Sequence, residues 1–138
     1  MGETVVLLHG LLMRRPALLP MAWRLRRRGF VPRLFGYSTL RVDPAVAIEA
    51  LAALPAGVPV GMIAGSRPLG LGQFFGRFEG PSDGTVAVAE TRLPGLAAHA
   101  VIPASHSGLI VSRVAAELAA NFLATGAFPD GRAASPPV

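Results

Sequence analysis

The chain has 138 residues, 51% of them apolar, which allows one domain with a sizeable core and excludes an intrinsically disordered chain. Its net charge of +5 comes from 13 arginines without any lysine, and the lack of cysteine excludes disulfides, thiolate metal sites and cysteine nucleophiles. The three histidines are far apart and have no metal-binding spacing, so we expect neither a metal nor another cofactor.

The short apolar runs and the distribution of charge in the sequence are those of an ordinary globular protein. Val5–Leu8 is too short for a signal-peptide core, and arginines or prolines interrupt every longer apolar run. We therefore expect a cytoplasmic protein without stable membrane insertion. The longest arginine run, Arg26–Arg28, ends an amphipathic segment, where cations complement the negative end of a helix dipole. No nucleic-acid-binding motif accompanies it, so we expect no nucleic-acid partner. Arginine-mediated binding of another anionic partner remains the least favoured alternative.

The first part of the chain predicts strands that alternate with helices. A β-branched and leucine run indicates a strand buried on both faces, and apolar residues at helical spacing follow it. A capping aspartate followed by proline indicates the start of a second helix. The predicted elements are a strand at Thr4–Leu8 ending at His9-Gly10, a helix at Pro16–Arg28 with Leu18, Ala22 and Leu25 on one face and Gly29 after it, a strand at Phe30–Phe35 ending at Gly36-Tyr37-Ser38, and a helix from Asp43-Pro44 to about Ala53.

The second part continues this alternation after a glycine-rich loop. Phenylalanines within that loop are more typical of a cover over the core than of a substrate pocket. The predicted elements are a strand at Val60–Ala64, a loop at 65–84 containing Phe74, Phe75 and Phe78, a short edge strand or helical turn at Thr85–Val88, a strand at Ala98–Pro103, and a long helix capped by Ser107, with Ile110, Val114, Leu118 and Phe122 on one face and Gly126 at its end.

Alternating strands and helices predict an α/β fold. We expect a three-layer α/β/α arrangement with a small, mostly parallel sheet of about four strands. Residues 1–128 would form a single domain, and residues 129–138 a flexible tail. In such sheets the active site lies at the carboxyl ends of the strands.

Two polar residues at those strand ends could carry chemistry. His106 follows the fourth strand, where an imidazole could accept a proton from a hydroxyl and later return it. Asp83 lies in a loop after the third strand, and a loop aspartate can orient such an imidazole. Each has a plain structural alternative, a surface or capping histidine and a turn aspartate.

Several segments together resemble bacterial α/β-hydrolase-fold esterases and lipases. They are the LLHG strand end, the GYST turn, IAGSRP, PSDGTVAVAETRLPGL and VIPASHSGLI, and the resemblance as a whole extends over most of residues 4–128. The resemblance implies that Asp83 is the acid and His106 the base of a catalytic triad, and that the backbone N–H of Leu11 is an oxyanion donor.

The nucleophile is where the chain departs from that family. No G-x-S-x-G motif lies between the second strand and IAGSRP, where the family has it, and this interval is too short for the motif's strand and helix. Ser38 keeps the first glycine and the serine of the motif, whereas Ser66 follows the third strand in a looser version. If two central strands are excised, Ser38 lies three strands of about 4.8 Å from the His106 strand, as in the full fold. We favour Ser38 over Ser66, and a chain without a working nucleophile stays open.

The resulting hypothesis is a reduced serine hydrolase that cleaves carboxylic esters by acyl transfer. Short acyl chains are favoured, because little sequence remains to build a lid or an acyl tunnel. The alternative is a catalytically inactive remnant that acts as an interaction or assembly module. Because missing central strands would expose apolar edges, we also expect a homodimer.

Overall fold

A computed structural model describes residues 2–8, 15–35, 58–69, 80–92 and 95–129. The described elements are helices and two small parallel sheets, so the chain has a small α/β fold. The chain divides into two compact units, residues 1–58 and 59–138. The strands and α-helices are β1 (Thr4–Leu8), α1 (Leu19–Arg27), β2 (Val31–Phe35), β3 (Gly61–Gly65), β4 (Ala98–Ile102), α2 (His106–Val111) and α3 (Arg113–Thr125).

The four strands pair only within their own units among the described residues. β1 pairs with β2, and β3 pairs with β4, both in parallel. The described residues therefore form two sheets of two strands, whereas the sequence predicts one sheet of about four. Each pair joins two strands that are linked by a crossover, the connection that parallel neighbours require.

One face of the β1–β2 sheet is exposed. Val6 is 59% exposed and Val31 39% exposed, whereas Pro32, on the opposite face of β2, is buried. Val5 and Leu7 are half-buried. The prediction that β1 is buried on both faces is wrong, because successive side chains of a strand point to opposite faces and only one face is covered here.

The helix that packs against this sheet has the predicted buried stripe. A 3-10 turn at Arg15–Leu18 leads into α1, and α1 contacts β2. Leu18, Ala22 and Leu25 are buried, with Leu25 only 1% exposed. Gly29 follows with φ +90°, a left-handed conformation that favours glycine after a helix.

The second unit places its core between the β3–β4 sheet and α3. Ala100 and Ile102 of β4 are buried, and so is Leu118 of α3. Gly61 lies directly under the ring of Phe122, where an added Cβ would come within 2.8 Å of it. The absence of a side chain at this strand position therefore lets α3 lie close to the sheet.

The C-terminal helical segment differs from the single helix predicted from its apolar spacing. It is interrupted at Ser112, whose side chain accepts a hydrogen bond from the Ala115 backbone N–H and caps α3. The helix before it, α2, is capped by Ser105, whose hydroxyl accepts a hydrogen bond from the N–H of Gly108. The prediction of Ser107 as the cap is therefore wrong. Serine competes for backbone hydrogen bonds, which favours caps over helix interiors. Gly126, with φ +74°, ends α3 as predicted.

The segment around Thr85–Val88, predicted as a short edge strand or a helical turn, contains a single β-bridge and leads into a 3-10 turn. Ser82 and Ala87 form an isolated antiparallel bridge, and Val88–Thr91 is a 3-10 turn. Several predictions lie outside the described residues, namely His9-Gly10, Leu11, Gly36-Tyr37-Ser38, the helix from Asp43-Pro44, Phe74, Phe75, Phe78 and residues 130–138 of the tail. Within the described ranges, no helix is both long and apolar enough to cross a membrane.

Candidate active site

The Asp83 carboxylate is held inside a tight, buried turn. Its Oδ1 accepts hydrogen bonds from the backbone N–H groups of Thr85 (2.9 Å) and Val86 (2.8 Å). Asp83 is only 5% exposed. The turn suits this role because an aspartate side chain bonds the backbone two and three residues ahead, and because Gly84, with φ +92°, supplies the left-handed residue. The backbone of the turn thereby holds the carboxylate without the help of any other side chain.

The second carboxylate oxygen holds His106. Asp83 Oδ2 lies 2.8 Å from His106 Nδ1. A carboxylate only accepts hydrogen bonds, so Nδ1 carries the hydrogen and, in neutral imidazole, Nε2 keeps a lone pair. The His106 side chain is 44% exposed, and no residue in the described part of the chain hydrogen-bonds to Nε2. The arrangement presents an oriented proton acceptor at the surface of the second unit.

A backbone hydrogen bond also joins Asp83 and His106. The N–H of His106 donates to the carbonyl oxygen of Asp83 at 2.9 Å, and the N–H of Asp83 donates to the carbonyl of Val86 at 3.1 Å. His106 is also the first residue of α2, directly after the capping Ser105. Because backbone and side chain both bond to Asp83, the imidazole has little freedom to turn away from the carboxylate.

Gly65 allows the acid loop to approach the end of β3. An added Cβ at this position would lie 2.8 Å from the Asp83 Cβ and 2.3 Å from the Ala104 carbonyl oxygen. Both contacts are shorter than packed atoms tolerate, so any side chain at residue 65 would displace the loop or the segment before His106. This requirement was not foreseen from the sequence, although glycine at the end of a predicted strand often marks a close backbone approach.

Ser66 is near these elements, but its hydroxyl has another partner. It follows β3, and its N–H donates to the Ile102 carbonyl at 3.0 Å, as does its Oγ at 3.3 Å. Among the described contacts, none joins Ser66 to His106. The structure thus brings together the acid and the histidine, while the favoured nucleophile Ser38 and the oxyanion donor Leu11 lie outside the described residues.

A second histidine lies elsewhere in the same unit. His99 Nε2 is 2.9 Å from Thr91 Oγ1, whose hydroxyl donates to the Val88 carbonyl at 2.7 Å. Since that hydroxyl hydrogen is already used, Nε2–H of His99 must be the donor to Thr91. Burial, with a smaller contribution from the charge of Arg92, lowers the pKa of His99 below 6.5. His99 is thus held by Thr91 and takes no part in the Asp83–His106 pair.

The described residues contain no group of three or more potential metal ligands. No protein-family model, curated protein or solved structure matches the chain.

Proposed function

We propose that the chain is a serine-dependent carboxylic ester hydrolase of reduced α/β-hydrolase type that acts without a cofactor. The observation that carries this proposal is the buried carboxylate of Asp83, which bonds to Nδ1 of His106 and leaves Nε2 as the proton acceptor. The same order of groups orients the base in serine hydrolases. The proposal includes a three-layer arrangement and a cytoplasmic location.

The histidine would act twice in the reaction. Nε2 of His106 takes the proton from a serine hydroxyl as its oxygen bonds to the ester carbonyl carbon, and Asp83 stabilises the imidazolium. The tetrahedral intermediate collapses to an acyl-serine, and Nε2 returns the proton to the departing alcohol. Water, deprotonated by the same nitrogen, then releases the carboxylic acid and restores the serine. Backbone N–H groups, for which Leu11 is the candidate, would stabilise the oxyanion.

Two serines are candidates for the nucleophile. Ser38 is favoured by its G-x-S sequence context. Ser66 lies in the same unit as the histidine, but it would have to exchange its hydrogen bond to the Ile102 carbonyl for one to Nε2. Ser66 can act as the nucleophile only after that rearrangement.

Active-site labelling distinguishes the two serines. The full-length protein would be incubated with a fluorophosphonate, digested, and its modified peptide identified by mass spectrometry. Modification of Ser38 that is lost in His106→Ala supports the proposal with the favoured nucleophile, and modification of Ser66 reassigns the nucleophile. Complete lack of labelling, together with no turnover of short-chain nitrophenyl esters, contradicts the hydrolase proposal.

A second candidate function is an inactive remnant that acts as an interaction or assembly module. It is favoured by one observation, that no hydroxyl of the described residues bonds to His106 Nε2. A homodimer would fit either function. Gel filtration with light scattering tests the dimer, and a purely monomeric protein at micromolar concentration contradicts it.

A further inference from the structure

A groove in the first unit lies between one side of α1 and β2, and neither Asp83 nor His106 is among the residues that line it. Its volume is about 550 Å³, within the range of small-molecule sites. Seven residues line it, namely Leu19, Ala22, Trp23, Arg26, Pro32, Arg33 and Leu34. Five of them are apolar and the other two are arginines, so the groove combines an apolar surface with positive charge.

The apolar part of the groove remains open to solvent. Leu19 is 54% exposed and Trp23 is 55% exposed, although α1 has a separate buried stripe that already packs on the sheet. The guanidinium of Arg27 stacks 4.9 Å from the centre of the Trp23 ring. This stacking holds the indole in place, and large exposed apolar side chains at a concave surface mark binding sites.

The first part of the chain, which forms the groove, is strongly basic. Residues 1–35 contain a single acidic residue, Glu3, and the arginines Arg14, Arg15, Arg24, Arg26, Arg27, Arg28 and Arg33. Within the described residues, neither Arg26 nor Arg33 forms an ion pair. Arginines in the last turn of α1 interact favourably with the negative end of the helix dipole. That interaction leaves their N–H donors available to a ligand.

We propose that this groove binds a small carboxylate that has an apolar alkyl or aryl body. The apolar lining would bury the body, while Arg26, on the same side of α1 as Leu19 and Trp23, would bind the carboxylate, which a guanidinium group recognises through paired N–H donors. A concave site of this size accommodates a small amphiphile better than the flat surface of a bilayer. A second copy of the chain is disfavoured as the occupant, because the chain itself is positively charged.

The chain offers a direct probe for this site. Trp23 is the only tryptophan, so intrinsic fluorescence reports on the groove alone. Decanoate would be titrated below its micelle-forming concentration, with acetate and decanol as ligands that lack the apolar body or the charge. Calorimetry under the same conditions gives a second readout. We expect saturable binding of decanoate, at least about tenfold tighter than that of acetate or decanol.

Arginine variants test the charge. Arg26→Gln should weaken decanoate binding about tenfold, whereas Arg113→Gln on the exposed surface of α3 should leave it unchanged. Circular dichroism confirms that the variants fold. Equal affinity for decanol, unchanged affinity in Arg26→Gln, displacement of decanoate by a short oligonucleotide, or the absence of both a fluorescence change and heat of binding would each overturn the proposal. None of these results bears on ester hydrolysis.

Discussion

Asp83 Oδ2 and His106 Nδ1 are 2.8 Å apart, although 23 positions separate the two residues in the chain. Two parallel strands that end side by side make this contact possible, because β3 precedes the acid loop and β4 leads into His106. The carboxylate is buried and the far side of the imidazole is not. That asymmetry is what a general base requires, since one nitrogen is fixed and the other is accessible.

Replacing the acid should impair turnover without unfolding the protein. In Asp83→Asn, the amide can donate to Nδ1, which favours the tautomer that has hydrogen on Nε2 and no acceptor for the serine proton. We expect kcat to fall roughly 10³–10⁴-fold with a smaller change in KM. Glu117→Gln is the control, because its ion pair with Arg113 is exposed on α3. Turnover of Asp83→Asn at the wild-type rate would contradict the assigned role.

Gly65→Ala should destabilise the second unit. Its methyl group would overlap the Ala104 carbonyl oxygen and the Asp83 Cβ, which we expect to reduce the free energy of unfolding by about 2–3 kcal/mol. Gly80→Ala is the matched control, because its Cβ would meet nothing and only the left-handed backbone is strained, at about 1 kcal/mol. Urea denaturation compares the two variants. Equal losses would show that the close approach at Gly65 is absent in solution.

The capping serine before His106 can be identified by a pair of substitutions. Ser105→Ala removes the acceptor for the Gly108 N–H and should reduce the free energy of unfolding by about 1 kcal/mol. Ser107→Ala, at an exposed helical position two residues further on, should change it by less than about 0.5 kcal/mol. Thermal or urea denaturation gives both values. The reverse order would restore Ser107 as the cap.

His99 should make stability depend on pH. Its pKa is lower in the folded chain than its ordinary value of 6.5, so the unfolded chain binds more protons between these two values. The stabilisation from the neutral imidazole is fully present above about pH 6.5 and is lost as the pH falls toward the folded pKa. When the pH is lowered from 8 to 5, the urea midpoint of His99→Gln should therefore fall less than that of the wild type. An identical slope in both proteins would contradict this assignment.

The sequence predicted the elements that depend on local patterns. β1 occupies the predicted range, and Leu18, Ala22 and Leu25 form the buried stripe of α1, because β-branched runs and helical spacing act over a few residues. Gly126 ends the last helix for an equally local reason, its left-handed conformation.

The features that depend on tertiary packing were missed. Both Ser105 and Ser107 are suitable caps by residue type, and the choice between them depends on where the chain leaves β4. The exposure of Val6 depends on which face of the sheet is covered, which the composition of β1 does not specify. Similarly, the need for glycine at residue 65 arises from Asp83 and Ala104, which are distant in sequence.

The most direct test of the central claim is the hydrolysis of a short-chain nitrophenyl ester by the purified wild type and His106→Ala, measured side by side. The account predicts saturable turnover by the wild type and a loss of at least about 10³-fold in kcat for the variant, because the base is removed while Ser105 still caps the helix. Equal rates in both proteins, at the level of the uncatalysed reaction, would contradict it and leave the Asp83–His106 pair as a structural contact.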